Sequence, residues 1–374
     1  MKVRNLLTKS QKHITPKLNN LLRQLINTDK SKYKNTDVLL EHIINTELAQ
    51  YQSETLKHCL ANFKLIADKL EFTVKFNKKV DGTCALLEQV LANIEAVSVK
   101  SIKKHITVYR ENPGRINQRT KYSKESKRPS YSKCFDICVD DDLTKVVKVY
   151  TSTGKKEHST AGLRFSLNTS RFTRRELAYV FTHIKSVIGK RYKEIMEKAR
   201  LTRVDMAFDL YGVSSLFVYT VSRNKKLKGG RVYPEDGEVA ETVEHGSHCK
   251  LKIYDKLLEV MVKQALGISD KVMATRAEHQ NRVKSKVRMK NLEKCTSRLA
   301  DLAFVDPVDI AVMHKRTVKS LIRNRRGKQV AAAVKRAEGK GNTVNMLRAD
   351  EALLEKKHRN LLTGLKKIIL EPNK

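Results

Sequence analysis

The chain has 374 residues, with 76 Lys and Arg against 40 Asp and Glu, a formal net charge of +36. Such an excess repels itself in a compact fold and points to a polyanionic partner: nucleic acid, an acidic membrane surface or the ribosome. No run of 18 apolar residues exists, which makes the membrane the weakest of the three, and the six cysteines (Cys59, Cys84, Cys134, Cys138, Cys249 and Cys295) lack paired metal-site spacing.

The opening MKVRNLLTKSQKHITPKLNN is basic and weakly amphipathic and reads as a first helix rather than an organelle-targeting peptide. Helical spacing of apolar residues continues through LLEHIINTELAQYQ (39–52), ETLKHCLANFKLIADKL (54–70) and VDGTCALLEQVLANIEAVSV (80–99), so residues 1–109 are expected to form a basic helical region. Residues 110–133, RENPGRINQRTKYSKESKRPSYSK, have almost no core-forming side chains and read as a basic linker or a loop that orders on DNA. Cys134 and Cys138 form CFDIC with no second pair, so reduced thiols are expected there and not zinc.

From 134 the period changes to two. KVVKVYTS (145–152) and GLRFSLNTS (162–170) are predicted strands, and Thr173 with Glu176 predicts a capping box opening a helix. In LTRVDMAFDLYG (201–212), Val204, Met206, Phe208 and Leu210 alternate with Arg203, Asp205, Ala207 and Asp209. A basic Gly-rich turn, RNKKLKGGRVYPEDGE, is followed by strands in AETVEHGS and HCKLKIYDK. A helix (LLEVMVKQALGI) and a last strand (KVMATRAEHQNRV) follow. This order predicts an α+β domain over 134–284 with a mostly antiparallel sheet. Residues 285–374 are predicted to be a basic helical region.

The chemistry centres on HCKLKIYDK. As a strand it buries Leu251 and Ile253 and presents Lys250, Lys252, Tyr254 and Lys256 together. Neighbouring positive charge favours a phenolate and holds a phosphodiester close, which suits a tyrosine that attacks phosphorus. The alternative is a rim tyrosine packing on lysine stems. Asp205 and Asp209 on one face of an otherwise apolar strand either share a hard cation such as Mg²⁺ or Mn²⁺, or are neutralised by Arg203 and nearby lysines. Glu278 is a third carboxylate in phase with Arg276, and its alternative is a surface glutamate beside a surface arginine. His245, His248 and His279 lie in or near the same strands, where one of them could add a ligand.

The runs LTRVDMAFD (201–209), TVEHGS and KLKIYDKLLE (242–259), and TRAE (275–278) resemble rolling-circle replication initiators: the gene II-type replication proteins of filamentous phages and the replication initiation factors of plasmids and conjugative elements. The resemblance covers roughly residues 145–280. It implies that Tyr254 is the nicking tyrosine and Lys256 its companion, and that Asp205, Asp209 and Glu278 hold Mg²⁺ or Mn²⁺. Arg203, Lys250, Lys252 and Arg276 would face DNA. No His-x-His occurs, so the histidine-pair metal site of many such nickases is absent as a linear motif. The implied activity is site-specific nicking and rejoining of single-stranded or supercoiled origin DNA in a bacterial cytoplasm. A 5′-phosphotyrosine and a 3′-OH primer would form, with host helicase and polymerase as partners. A relaxase of a conjugative element and a non-catalytic DNA-binding regulator are the alternatives.

Overall fold

The computed structural model of the protein describes residues 36–75, 107–110, 133–138, 145–152, 162–223, 230–233, 242–246, 249–256, 274–283, 287–324 and 326–372. In chain order it begins with α1 (Thr36–Ile43), α2 (Thr46–Asn62), β1 (Leu65–Lys75), β2 (Thr107–Arg110), β3 (Lys133–Cys138), β4 (Val146–Ser152) and β5 (Gly162–Leu167). Then come α3 (Arg174–Ile188), α4 (Tyr192–Lys198), β6 (Arg200–Tyr211), β7 (Thr220–Ser222), β8 (Gly230–Tyr233), β9 (Thr242–His245), β10 (Lys250–Asp255) and β11 (Ala274–Arg282). The last elements are β12 (Leu302–Val305), α5 (Pro307–Ala311), α6 (Lys315–Arg323), α7 (Gly327–Glu338), β13 (Met346–Leu347) and α8 (Glu351–Leu370). The class is α+β with extensive antiparallel pairing, as predicted.

The chain forms two compact units. One comprises Met1–Leu65, Met206–Asn281 and Ser297–Lys356; the other comprises Ile66–Asp205, Arg282–Thr296 and Lys357–Lys374. The boundary falls inside β6, between Asp205 and Met206.

In the unit that contains β1 to β5, the strand order is β2-β3-β4-β5-β1-β6. Leu70, Phe72 and Val74 of β1 are buried with Leu163, Phe165 and Leu167 of β5, the alternation of strands with one apolar face. Phe72 and Phe165 are register partners whose rings stack at 4.7 Å. Between the apolar positions of β1 sits Glu71, buried, accepting from Arg164 Nη2 at 2.6 Å and Ser166 Oγ at 3.2 Å and pairing with Lys69 Nζ at 3.1 Å. Burial alone would raise its carboxyl; Arg164 and Lys69 outweigh that and bring it down to about 2. The predicted capping box is present: Glu176 N donates to Thr173 Oγ1 at 3.2 Å and Thr173 N to Glu176 Oε2 at 2.7 Å.

In the other unit the order is β6-β11-β10-β9-β8, and β13-β12-β7 forms a small second sheet. Asn45 breaks the helical run 39–52 in two, because its side chain accepts from Leu48 N at 3.0 Å and starts α2 afresh. Gln52 ties α2 to the end of β6, donating to Gly212 O at 3.1 Å and accepting from Ser214 N at 2.9 Å; Gly212 has φ +79°, where a side chain is disfavoured. The core here gathers Leu39 and Ile43 of α1, Phe217, Ile322 of α6 and Val330 and Val334 of α7.

Three expectations are corrected. The helix predicted across 54–70 stops at Asn62, and residues from Leu65 form β1, because Leu70, Phe72 and Val74 alternate and a helix would scatter them. Within the Gly-rich segment 223–238, residues Gly230–Tyr233 are strand β8, paired with β9. Residues 285–374 are largely helical but also carry β12, whose four residues are all buried between β13 and β7. The predicted opening helix, the helices at 80–99 and 257–268 and nearly all of the 110–133 linker lie outside the described residues.

Candidate functional site

β9 and β10 form a hairpin past Gly246, which has φ +86°. Its register places Lys252 opposite Glu244 on β9 and opposite Glu278 on β11; Tyr254 lies opposite Thr242 and Arg276. Residues directly opposed in antiparallel strands share a face. Lys250, Lys252 and Tyr254 therefore lie with Glu244, Arg276, Glu278 and Gln280, while Leu251, Ile253 and Ala277 bury the reverse face. This is the split predicted for β10.

On that face the polar groups sort into three sets. Tyr254 OH donates to Glu278 Oε2 at 2.8 Å, and Gln280 Nε2 donates to Glu278 Oε1 at 3.0 Å. Lys256 places its ammonium 5.9 Å from the centroid of the Tyr254 ring. Arg276 grips Asp209 with both arms, Nε to Oδ1 at 2.6 Å and Nη2 to Oδ2 at 2.8 Å, and Tyr211 OH donates to Asp209 Oδ2 at 3.3 Å. Glu244 receives Lys250 on Oε2 and Lys252 on Oε1, each at 2.7 Å. Burial alone would raise the Glu244 carboxyl, but the two lysines hold it below the usual carboxylate range. Burial and the Asp209 carboxylate push the Tyr211 phenol up.

The structure brings Tyr254, Lys256, Glu278, Lys250, Lys252, Arg276 and Asp209 to one sheet face within one unit. Arg203 and Asp205 belong to the other unit, where Arg203 Nε donates to the fully buried Asp205 Oδ2 at 2.7 Å. Arg276 and Arg203 thus neutralise Asp209 and Asp205, the ion-pair alternative for those carboxylates. His245 and His279 lie on the face opposite Tyr254: His245 Nε2 meets Thr220 Oγ1 at 2.9 Å, and Arg298 N donates to His279 Nδ1 at 3.3 Å. Burial pushes His245 down to about 4. His248 lies outside the described residues.

Both oxygens of Asp209 are taken by Arg276, Asp205 is held by Arg203, and Glu278 receives Tyr254 and Gln280. Among the described residues no group of three or more His, Cys, Asp or Glu side chains is arranged to hold a metal ion. Each of the three carboxylates thus has a side-chain partner where it stands: an arginine for Asp209 and for Asp205, and the donors Tyr254 OH and Gln280 Nε2 for Glu278.

Glu244, Gln280 and Tyr211 emerge only from the fold. The clamp of Glu244 on Lys250 and Lys252 follows from the hairpin register, and its one sequence signal is an acid alternating into a lysine strand across a Gly turn. No family model matches the chain, and no curated protein matches it. Among the described residues no helix is long and apolar enough to cross a membrane.

Proposed function

We propose that the protein is a rolling-circle DNA replication initiator that nicks and rejoins origin DNA through Tyr254. The observation that carries this reading is the Tyr254 OH to Glu278 Oε2 contact, on a face shared with Lys250 and Lys252 and beside Lys256. A phenol becomes a competent nucleophile when a base takes its proton. Glu278 is that base. Its other oxygen is fixed by Gln280, so the carboxylate is aimed before substrate arrives.

In the proposed step the Tyr254 oxygen attacks a backbone phosphorus and its proton passes to Glu278. The bond from phosphorus to the 3′-oxygen breaks, and that oxygen leaves as a 3′-OH after taking up a proton. A 5′-phosphotyrosine remains on the protein. The lysines hold the phosphate and offset charge gathering on its oxygens. The reverse reaction rejoins the strand, and the freed 3′-OH primes a polymerase in the host cytoplasm, with a helicase opening the duplex. The Mg²⁺ or Mn²⁺ that the resemblance implies would draw on Glu278, and Asp209 would join it only on release from Arg276.

The test uses a random-sequence pool of single-stranded oligonucleotides labelled at the 3′ end, with and without Mn²⁺. The expected result is a labelled, SDS-stable adduct with the wild-type chain and none with Tyr254→Phe, which still binds DNA. Absence of adduct in both conditions would overturn the reading in favour of a DNA-binding regulator. A relaxase would pass this chemical test equally, and is separated from an initiator by whether the 3′-OH is extended or the strand transferred.

A further inference from the structure

Residues 315–340 hold ten Lys and Arg and a single acid, Glu338. They fold as α6, which ends at Arg323, and α7, which begins at Gly327. Each helix buries one side: Val318, Leu321 and Ile322 on α6, and Val330, Ala333 and Val334 on α7. The outer sides carry charge. Lys315 and Arg316 on α6, Arg326 just ahead of α7, and Lys328, Lys335 and Arg336 on α7 are all exposed. On α7 the positions 328, 335 and 336 fall on one stripe, since seven and eight residues make two turns.

We propose that α6 and α7 form a docking surface for the phosphate backbone of double-stranded DNA. The charge on this surface is far beyond what solubility needs, and cations so arranged gain chiefly by releasing counterions from a polyanion. The choice of duplex over single strand rests on side-chain type. Sites for unpaired bases stack them on aromatic rings, and residues 315–340 contain no Phe, Tyr or Trp. α7, at 12 residues, is about 18 Å long, enough to reach across a major groove of about 12 Å and meet phosphates on both sides. The helix is also fixed in place. Its first residue, Gly327, lies so close to β9 that an added Cβ would stand 2.8 Å from the His245 ring.

This assignment is independent of Tyr254 chemistry. The experiment compares the full chain with the variant Arg316→Gln/Lys328→Gln/Lys335→Gln/Arg336→Gln. Glutamine keeps helix propensity, and these exposed side chains carry no packing, so the thermal midpoint should hold. Fluorescence anisotropy is read on a random-sequence duplex of about 20 base pairs, roughly two helical turns, on the same length of single strand, and on phosphatidylserine vesicles. The expected result is a log-log salt slope on the duplex lower by about three to four, near one per lost phosphate contact, with single-strand binding changed far less. Tyr254→Phe should bind the duplex like wild type, which separates this surface from the nicking site. An unchanged duplex slope, an equal loss on the single strand, or a loss confined to vesicles would each overturn the proposal.

Discussion

Tyr254 and Glu278 meet diagonally across β10 and β11: the register partner of Tyr254 is Arg276, and that of Glu278 is Lys252. Arg276 itself holds Asp209 with two hydrogen bonds, and the Tyr254 hydroxyl donates to the Glu278 carboxylate.

Removing that carboxylate has a readout that structure alone would not move. Glu278→Gln should lower the rate of adduct formation by about 10²–10⁴-fold, the usual contribution of a positioned base. The remaining rate should rise more steeply with pH than the wild-type rate, because hydroxide from solvent then has to take the proton. DNA affinity should not fall, since a negative charge has been removed. A Glu278→Gln rate equal to wild type at every pH would exclude the base role.

Asp209 and Arg276 are both nearly inaccessible, so cutting one leaves the other as a buried, unpaired charge. Asp209→Ala should destabilise the fold by about 3–5 kcal/mol, read as a shift in urea midpoint. The double variant Asp209→Ala/Arg276→Met should cost less than the two single changes added together. Strict additivity would show that the pair is not coupled.

Glu71 predicts an acid limb. Its carboxyl is held down to about 2 from 4.5, so it releases its proton more readily in the folded chain. The resulting stability is complete above about pH 4.5 and is lost as pH falls toward 2, amounting to about 3 kcal/mol. Glu71→Gln should flatten the stability curve between those limits, measured by urea titration at successive pH values. A parallel curve would contradict it.

His245 adds a second limb at higher pH. Burial lowers it from 6.5 to about 4, favouring the neutral ring in the folded state. Its contribution is full above pH 6.5 and fades as pH falls through 4. His358, also buried and lowered to about 4, acts in the same direction, so His245→Gln should remove only part of the loss.

Gly327 is confined by the same ring. Gly327→Ala would set a Cβ 2.8 Å from His245 Cε1 and 3.0 Å from Nδ1, closer than real contacts allow, so the helix or the ring must shift. A cost of about 1–3 kcal/mol is expected, typical of overpacking. In a His245→Ala background the same change should cost less than 1 kcal/mol. Equal costs in both backgrounds would show that the ring is not the obstacle.

Much of the sheet was legible in sequence because period-two burial writes itself into the order of residues. The alternation in β10, the strands β4 and β5 and the α3 capping box all followed from spacing within one segment. β1 was misread because 54–62 is truly helical and the change of period sits inside a continuous apolar run. The site was legible as residue types but not as partnerships. Local spacing cannot tell whether Asp209 faces an ion or the guanidinium of Arg276, 67 residues away. Nor can it show that Glu244 would claim Lys250 and Lys252, since that depends on how the β9–β10 hairpin is registered.

Glu244 and His245 are consecutive residues pointing to opposite sides of β9. The first grips the lysines beside Tyr254, and the second is seated against the start of α7. One peptide link therefore joins the lysine-bearing face of the sheet to the seat of α7 behind it, so β9 cannot shift on one side without moving the other.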